Sequence, residues 1–170
     1  MIIKEKIGNL KEVEIKNRSI DVISVEWYET GKRILNKRTS AGRDIIMKFL
    51  KEGPNLLQDD VIYEDENLLI IIDINPCEAI MVNPGSMYQM AKLCYEIGNK
   101  HLPLFYEENS VLIPFEEPLF KWLVAAGFEP IRQNKKLLHQ LKTAVSAHSH
   151  LNDSTSLFSK ILKLTSSAND

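Results

Sequence analysis

The 170-residue sequence lacks the features that mark several large classes of protein. It has only two cysteines, Cys77 and Cys94, with no CxxC pair, so no disulfide framework is predicted. Its longest apolar run, Leu68 to Ile72, is far too short to span a bilayer, and its first residues contain no apolar segment of signal-peptide length. A formal net charge of −2 gives no general attraction for phosphate backbones or anionic lipids. We therefore predict a cytoplasmic protein that binds neither nucleic acid nor membrane.

Motifs of common enzymes are also missing. There is no P-loop, dinucleotide-binding glycine motif, nucleophile elbow or HExxH sequence,. The carboxylate pairs Glu107-Glu108 and Glu116-Glu117 fall in a predicted turn and at a predicted helix start, where solvation and the helix dipole explain them. The sequence therefore predicts no catalytic residues and no enzyme.

The first part of the sequence, up to about residue 74, carries a run of strand patterns. Residues 20–27 are rich in β-branched side chains,. Two hairpins are predicted, one from residues 33–38 and 43–49 around Thr39-Ser40-Ala41-Gly42, and one from residues 61–63 and 68–74 around Glu64-Asp65-Glu66-Asn67. Residues 1–74 are thus predicted to form a small, mostly antiparallel, all-β domain.

A different pattern follows the predicted linker Asn75-Pro76. The predicted elements are a strand at 79–82, a helix at 87–99 capped by Ser86, strands at 102–106 and 111–115, a helix from Glu116 to Gly127, and a strand at 128–132. This βαββαβ order is the ferredoxin-like plan, an antiparallel sheet with both helices on one face. The predicted buried positions are Met87, Met90, Ala91, Cys94 and Ile97 on the first helix and Leu119, Phe120, Leu123 and Val124 on the second. The fold class is therefore α+β, with residues 75–147 as the second domain.

Residues 148–170 are predicted to form a flexible, polar C-terminal tail. Its apolar residues between Leu157 and Leu164 could form one short amphipathic helix, which is marginal unless it docks.

Three of the four histidines lie where they could bind a metal ion. His101 follows Gly98-Asn99-Lys100 at the end of the first helix, and two copies could face each other across a homodimer axis. His148 and His150 are two residues apart, so both rings project to one side of an extended tail. The alternatives are that His101 only caps its helix and that the tail pair is simply solvated. His139 is read as a partly exposed helix or loop residue.

The segment Cys94-Tyr95-Glu96-Ile97-Gly98-Asn99-Lys100-His101 resembles the UreE family of urease accessory nickel chaperones. Val25-Glu26-Trp27 and Ala126-Gly127-Phe128 extend this resemblance over residues 1–150. Lys100 replaces the more usual arginine and keeps its charge.

The resemblance implies a homodimeric nickel chaperone whose N-terminal β domain, residues 1–74, binds a protein or peptide partner. Ni(II) would be its cargo, with Zn(II) or Cu(II) also taken up in vitro, and the GTPase UreG and the urease apoprotein would be its partners. His101 matches the interfacial nickel ligand, and His148 and His150 match the tail histidines that complete or modulate that site. Two alternatives stay open: a dimeric ferredoxin-like binding module without a physiological metal, and a zinc-dependent hydrolase built across a dimer.

Overall fold

The computed structural model describes residues 1–50 and 53–142. Its first half contains seven strands and one short 3-10 helix, Trp27–Glu29. The strands are β1 (Ile2–Ile3), β2 (Gly8–Asn9), β3 (Ser19–Val25), β4 (Ile34–Arg38), β5 (Asp44–Lys48), β6 (Asp60–Glu64) and β7 (Leu68–Ile74). They form a three-stranded sheet in the order β1-β5-β4 and a four-stranded sheet in the order β2-β6-β7-β3. The predicted all-β first half is confirmed.

Both predicted hairpins are present as antiparallel pairs, β4 with β5 and β6 with β7. Gly42 has a φ of +86° in the turn between β4 and β5, a conformation that glycine adopts without steric cost. The longest ladder in this half, β3 with β7, is parallel over seven residue pairs, and β1 also pairs with β5 in parallel. The prediction of a mostly antiparallel domain holds for three of the five strand pairs and misses these two.

The second half has the predicted ferredoxin-like plan with one additional strand. Its elements are β8 (Cys77–Val82), α1 (Met87–Asn99), β9 (Leu104–Glu107), β10 (Ser110–Pro114), α2 (Glu117–Ala125), β11 (Ile131–Lys135) and β12 (Gln140–Leu141). The sheet order is β11-β8-β10-β9-β12, and every pair is antiparallel. The strand β12 was not predicted, and β9 and β11 each begin two or three residues later than expected.

The helix α1 has the predicted bounds but buries a partly different face. The hydroxyl of Ser86 accepts a hydrogen bond from the Gln89 amide at 3.2 Å, as expected for an N-cap,. Leu93 and Ile97 are its fully buried residues, with Met90 and Cys94 packed beside them. Met87 and Ala91 were predicted to be buried and are exposed, because the helix packs on the sheet through the side that carries Leu93.

The helix α2 packs against the same core through Leu119 and Leu123. Gly127 ends it with a φ of +83°, as predicted,. Val124 was predicted to be buried but is 54% exposed, because it lies one residue beyond Leu123 and therefore points about 100° away around the helix.

The two halves pack against each other beside the linker. The rings of Trp27 and Phe105 meet edge to face at 5.5 Å. The segment between β11 and β12 returns to the first half, where Lys136 pairs with Asp73 at 2.6 Å and Leu138 packs against the core of the three- and four-stranded sheets. This segment positions the last described residues, and it leads directly into β12. Within residues 1–50 and 53–142, no helix is long and apolar enough to cross a membrane.

Candidate metal centre

His101 lies just beyond the end of α1, in a conformation that turns the chain away from the helix. Lys100 caps the helix, and its amide donates to the carbonyls of Glu96 at 3.3 Å and Ile97 at 3.2 Å. The His101 amide donates to the Gly98 carbonyl at 2.9 Å, and its φ is +54°. A left-handed residue here resembles the αL end of many helices, where glycine or asparagine is more usual. The backbone geometry therefore fixes the direction in which the imidazole leaves the helix.

The imidazole of His101 is exposed to solvent. It makes no hydrogen bond or ion pair with any residue that the structure describes, so the helix end is closed by backbone groups and not by this ring. Lys100 extends the other way, with its Nζ 4.8 Å from the centre of the Trp122 ring. This cation–π contact holds the Lys100 ammonium group against α2. Both ring nitrogens of His101 are therefore available to bind a ligand.

A groove of about 530 Å³ lies beside His101, between the end of α1 and β12. Gly98, His101 and Leu102 line one side, and Leu141 and Lys142 line the other. Lys142, the last described residue, therefore lines the same groove as His101.

Both cysteine thiols have raised pKa values. Burial raises the pKa of the Cys94 thiol, and its Sγ lies 3.9 Å from Met90 Sδ. Burial and the nearby charge of Glu26 raise the pKa of Cys77. Both side chains are therefore neutral thiols near pH 7, which agrees with the prediction that Cys94 belongs to the core.

A stripe of exposed apolar side chains runs along α1 toward His101. Met87 is 83% exposed, Tyr88 76% and Tyr95 69%. Ala91 lies four residues after Met87, Gly98 lies three residues after Tyr95, and both are exposed. A Cβ added at Gly98 would meet nothing within 4 Å. We call these five residues the α1 stripe; Lys92 and Asn99, each four residues after one of its tyrosines, lie directly beside it on the helix surface,.

The predicted metal ligands are only partly described by the structure. Among residues 1–50 and 53–142, no three His, Cys, Asp or Glu side chains lie close enough together to hold a metal ion. His148, His150 and the predicted helix near Leu157 lie outside the described residues. His139 is exposed in the loop before β12, with its ring 5.5 Å from that of Tyr106. His101 is therefore the one predicted ligand among the described residues.

Comparison with known proteins covers both halves of the chain. A family profile described as the N-terminal domain of the UreE urease accessory protein matches residues 3–75. A second profile, described as its C-terminal domain, matches residues 78–154. The chain belongs to the UreE urease accessory protein family. The resemblance found in the sequence is confirmed, and because this family consists of accessory proteins and not enzymes, the prediction of a non-enzyme is confirmed with it.

Individual UreE relatives align over nearly the whole chain. The urease accessory protein UreE of Flavobacterium johnsoniae is 46% identical over 164 residues, which are 96% of this chain and 99% of the relative. UreE of Actinobacillus pleuropneumoniae is 41% identical over 88% of this chain and 81% of its own length. UreE of Helicobacter pylori is 36% identical over 94% of this chain and 96% of its own length.

Two features of the site were missed from sequence. The strand β12 forms a wall of the groove, and the tyrosines of the α1 stripe were not singled out. Tyr88 and Tyr95 stand seven residues apart, which is two helical turns. That spacing of large side chains outside the chosen core positions is the signal that could have revealed a second apolar face.

Proposed function

We propose that this protein is a homodimeric metallochaperone that binds Ni(II) and delivers it for assembly of the urease active site. Its family gives it a role in urease maturation. The observation that carries the finer proposal is the position of His101, an exposed imidazole without a protein partner among the described residues, at the end of the α1 stripe and beside the groove. Neutral imidazole is a good ligand for nickel.

The α1 stripe supports a homodimer in which two copies of His101 approach each other. Contiguous exposed apolar surface is typical of protein interfaces, and aromatic residues such as Tyr88 and Tyr95 are enriched there. Gly98 presents no side chain, which allows two backbones to come close. If the stripe packs against its own copy around a two-fold axis, the residue at its end meets the same residue of the partner. One residue type then supplies two ligands.

The direction of β12 supports further ligands from the tail. Lys142, the last described residue, lines the same groove as His101, and because six residues of extended chain span about 20 Å, a histidine at position 148 or 150 can reach that groove. We infer that one or both tail histidines add to the two copies of His101. A site made of a few imidazoles is suited to a carrier, because it can hold the metal and still release it.

The chemistry of the ligands also sets what else would bind. Nitrogen ligands favour Cu(II) over Ni(II) and Ni(II) over Mn(II) in the usual order of divalent metals. Zn(II) and Cu(II) should therefore bind in vitro, and metal supply and geometry would select nickel. We infer that the dimer works in the cytoplasm with the GTPase UreG and the urease apoprotein as its partners.

A calorimetric titration of the full chain with Ni(II), combined with mass determination by light scattering, tests this proposal. The expected result is one tightly bound nickel ion for every two chains. A dimer that takes up no stoichiometric nickel would instead be the metal-free binding module, and the chaperone assignment would be wrong.

Replacing Tyr95 with aspartate is expected to separate the dimer into monomers. The change places a charge in the centre of the α1 stripe, and a central aromatic residue of an interface commonly contributes about 2 kcal/mol or more, or roughly 30-fold in affinity. Sedimentation velocity measures the mass. Val124→Asp is the matched control, since it adds the same charge at an exposed position of α2. A Tyr95→Asp protein that stays dimeric at micromolar concentration would place the interface elsewhere.

Removing residues 148–170 is expected to weaken nickel binding by about tenfold or more, or to lower its stoichiometry, and to leave the dimer intact. The interface belongs to α1, whereas the tail contributes only ligands. Calorimetry and light scattering on the shortened chain measure both properties. A full-length His148→Ala/His150→Ala protein should show the same loss, which separates the ligands from the rest of the tail. Unchanged binding would mean that both histidines are merely solvated.

A further inference from the structure

The outer face of the β1-β5-β4 sheet carries exposed isoleucines. Ile2 and Ile34 are each 61% exposed, and Ile46 is 42% exposed. Their chain neighbours Ile3, Leu35, Ile45 and Met47 are buried on the inner face of the same sheet. The alternation shows that the outer positions are regular strand positions, and such positions on a solvated face are ordinarily polar.

Strand register brings these isoleucines together. Ile2 lies directly beside Ile46 in the parallel pair of β1 and β5. Ile46 is opposite Asn36, and Ile34 is opposite Lys48, so Ile34 is the diagonal neighbour of Ile46. Side chains in these positions are within about 8 Å of each other. The three isoleucines therefore form one continuous patch.

One end of this patch is positively charged. Lys48 lies opposite Ile34, and Lys4 follows β1, two residues after Ile2. Both lysines are exposed, and neither forms an ion pair with a residue that the structure describes. Glu5, the neighbour of Lys4 in the chain, is also exposed and without an ion pair among the described residues. Asp44, at the other end of the patch, is paired with Arg38 at 2.8 Å. The chain as a whole has a net charge of −2, so this surplus of positive charge is local.

We propose that this surface, the outer isoleucine face (Ile2, Ile34, Ile46, Lys4 and Lys48), binds an acidic segment of a partner protein that also carries aliphatic side chains. Ile46 and Lys48 stand two residues apart on one strand, about 7 Å. An extended segment with an aliphatic residue and a carboxylate two residues apart matches this spacing. A second copy of the same face is disfavoured because it would bring like charges together. The site uses no metal ligand and is independent of nickel binding.

Fluorescence anisotropy with two labelled eight-residue peptides tests the proposal on the full-length protein. The first peptide alternates two valines with two glutamates, which places an aliphatic and an acidic residue two apart on each side of the extended chain. The second has lysine in place of every glutamate. The first should bind and the second should not, and binding should weaken as salt is raised, because the attraction includes exposed charges. Lys48→Glu and Ile46→Thr should each weaken binding by about fivefold or more.

The matched controls are Lys11→Glu and Ile15→Thr, in the loop after β2. Ile15 is 42% exposed, as is Ile46, so the two threonine variants lose the same apolar surface. Both controls should bind the acidic peptide as the unmodified protein does, and circular dichroism checks that all four variants are folded. Failure of the acidic peptide to bind, equal binding of the lysine peptide, or full binding by Lys48→Glu and Ile46→Thr would overturn the proposal. A change of oligomeric mass in Lys48→Glu would also overturn it, because the face would then be a contact between two copies of the chain. Displacement of the peptide by phosphatidylserine vesicles would overturn it as well, because the face would then bind lipid.

Discussion

Replacing His101 with alanine is expected to abolish tight nickel binding while the protein stays folded and dimeric. In the proposed dimer the substitution removes two ligands at once. Loss of residues that merely orient metal ligands costs about 10- to 100-fold in affinity, so loss of two direct ligands should cost more than about a hundredfold. The exposed ring contributes little packing, and the backbone hydrogen bond from residue 101 to Gly98 is kept. Nickel calorimetry at pH 7.5 measures the affinity.

His139→Ala is the matched control for this experiment. His139 is also exposed, yet it lies against Tyr106 and does not line the groove beside His101. Its removal should leave nickel affinity and stoichiometry unchanged. If His101→Ala still binds one nickel per dimer tightly, His101 is not a ligand and the site must be sought among other residues.

The hairpins could be predicted from sequence because their signals are local. Thr39-Ser40-Ala41-Gly42 and Glu64-Asp65-Glu66-Asn67 are turn sequences between strand patterns, and both turns are present. The parallel pairing of β3 with β7 could not be read in the same way. Its partners are about fifty residues apart, and a strand pattern does not specify which distant strand it will join. The ferredoxin-like order was predictable because it depends only on the succession of elements.

The burial of α1 was predicted only in part because the helix has two apolar sides. Met90, Cys94 and Ile97 were assigned correctly to the core, but Met87 and Ala91 fit the same periodicity and belong to the α1 stripe. The sequence shows that both sides are apolar, and packing against the sheet selects the one with Leu93. The second apolar side is itself informative, since a helix with apolar residues on both sides carries more apolar surface than one sheet can cover.

The candidate metal site likewise combines a residue that the local sequence identifies with a groove that depends on distant strands. His101 was identified from its place after the helix, and its exposure is in accord with a ligand. The groove beside it depends on β12, which pairs with β9 although about 35 residues separate them along the chain. The strand β12 has only two residues, Gln140 and Leu141, which are too few to show a strand pattern, so nothing local indicates that it closes one side of the groove.

A buried carboxylate outside the candidate metal site stabilises the first half of the protein. Asp21 on β3 is 3% exposed. Its Oδ1 accepts hydrogen bonds from the amides of Val22 and Ala41 at 2.9 and 3.0 Å and from the Ser40 hydroxyl at 2.8 Å, and its other oxygen pairs with Arg43. These hydrogen bonds and this ion pair join β3 to the turn between β4 and β5.

The pKa of Asp21 reflects this arrangement. Burial alone would raise its pKa, but the hydrogen bonds from Thr39, the Ala41 amide, Ser40 and Arg43 together outweigh that effect and hold the pKa well below its usual range,. A carboxyl group whose pKa is lower in the folded than in the unfolded state stabilises the fold above its unfolded pKa, near 3.9. That stabilisation is lost as the pH falls from there through the folded value.

Asp21→Asn is therefore expected to lower the free energy of unfolding by about 2 to 3 kcal/mol at pH 7, because the amide leaves Arg43 without its anion and replaces one acceptor by a donor. Urea denaturation measures the loss, and the gap between the two proteins should narrow as the pH falls below about 4. Asp44→Asn is the control, since its bridge to Arg38 is on the surface and its removal should have a much smaller effect. If the two asparagine variants were equally stable, or if the gap for Asp21 persisted unchanged in acid, the carboxylate would not be what joins the turn to β3.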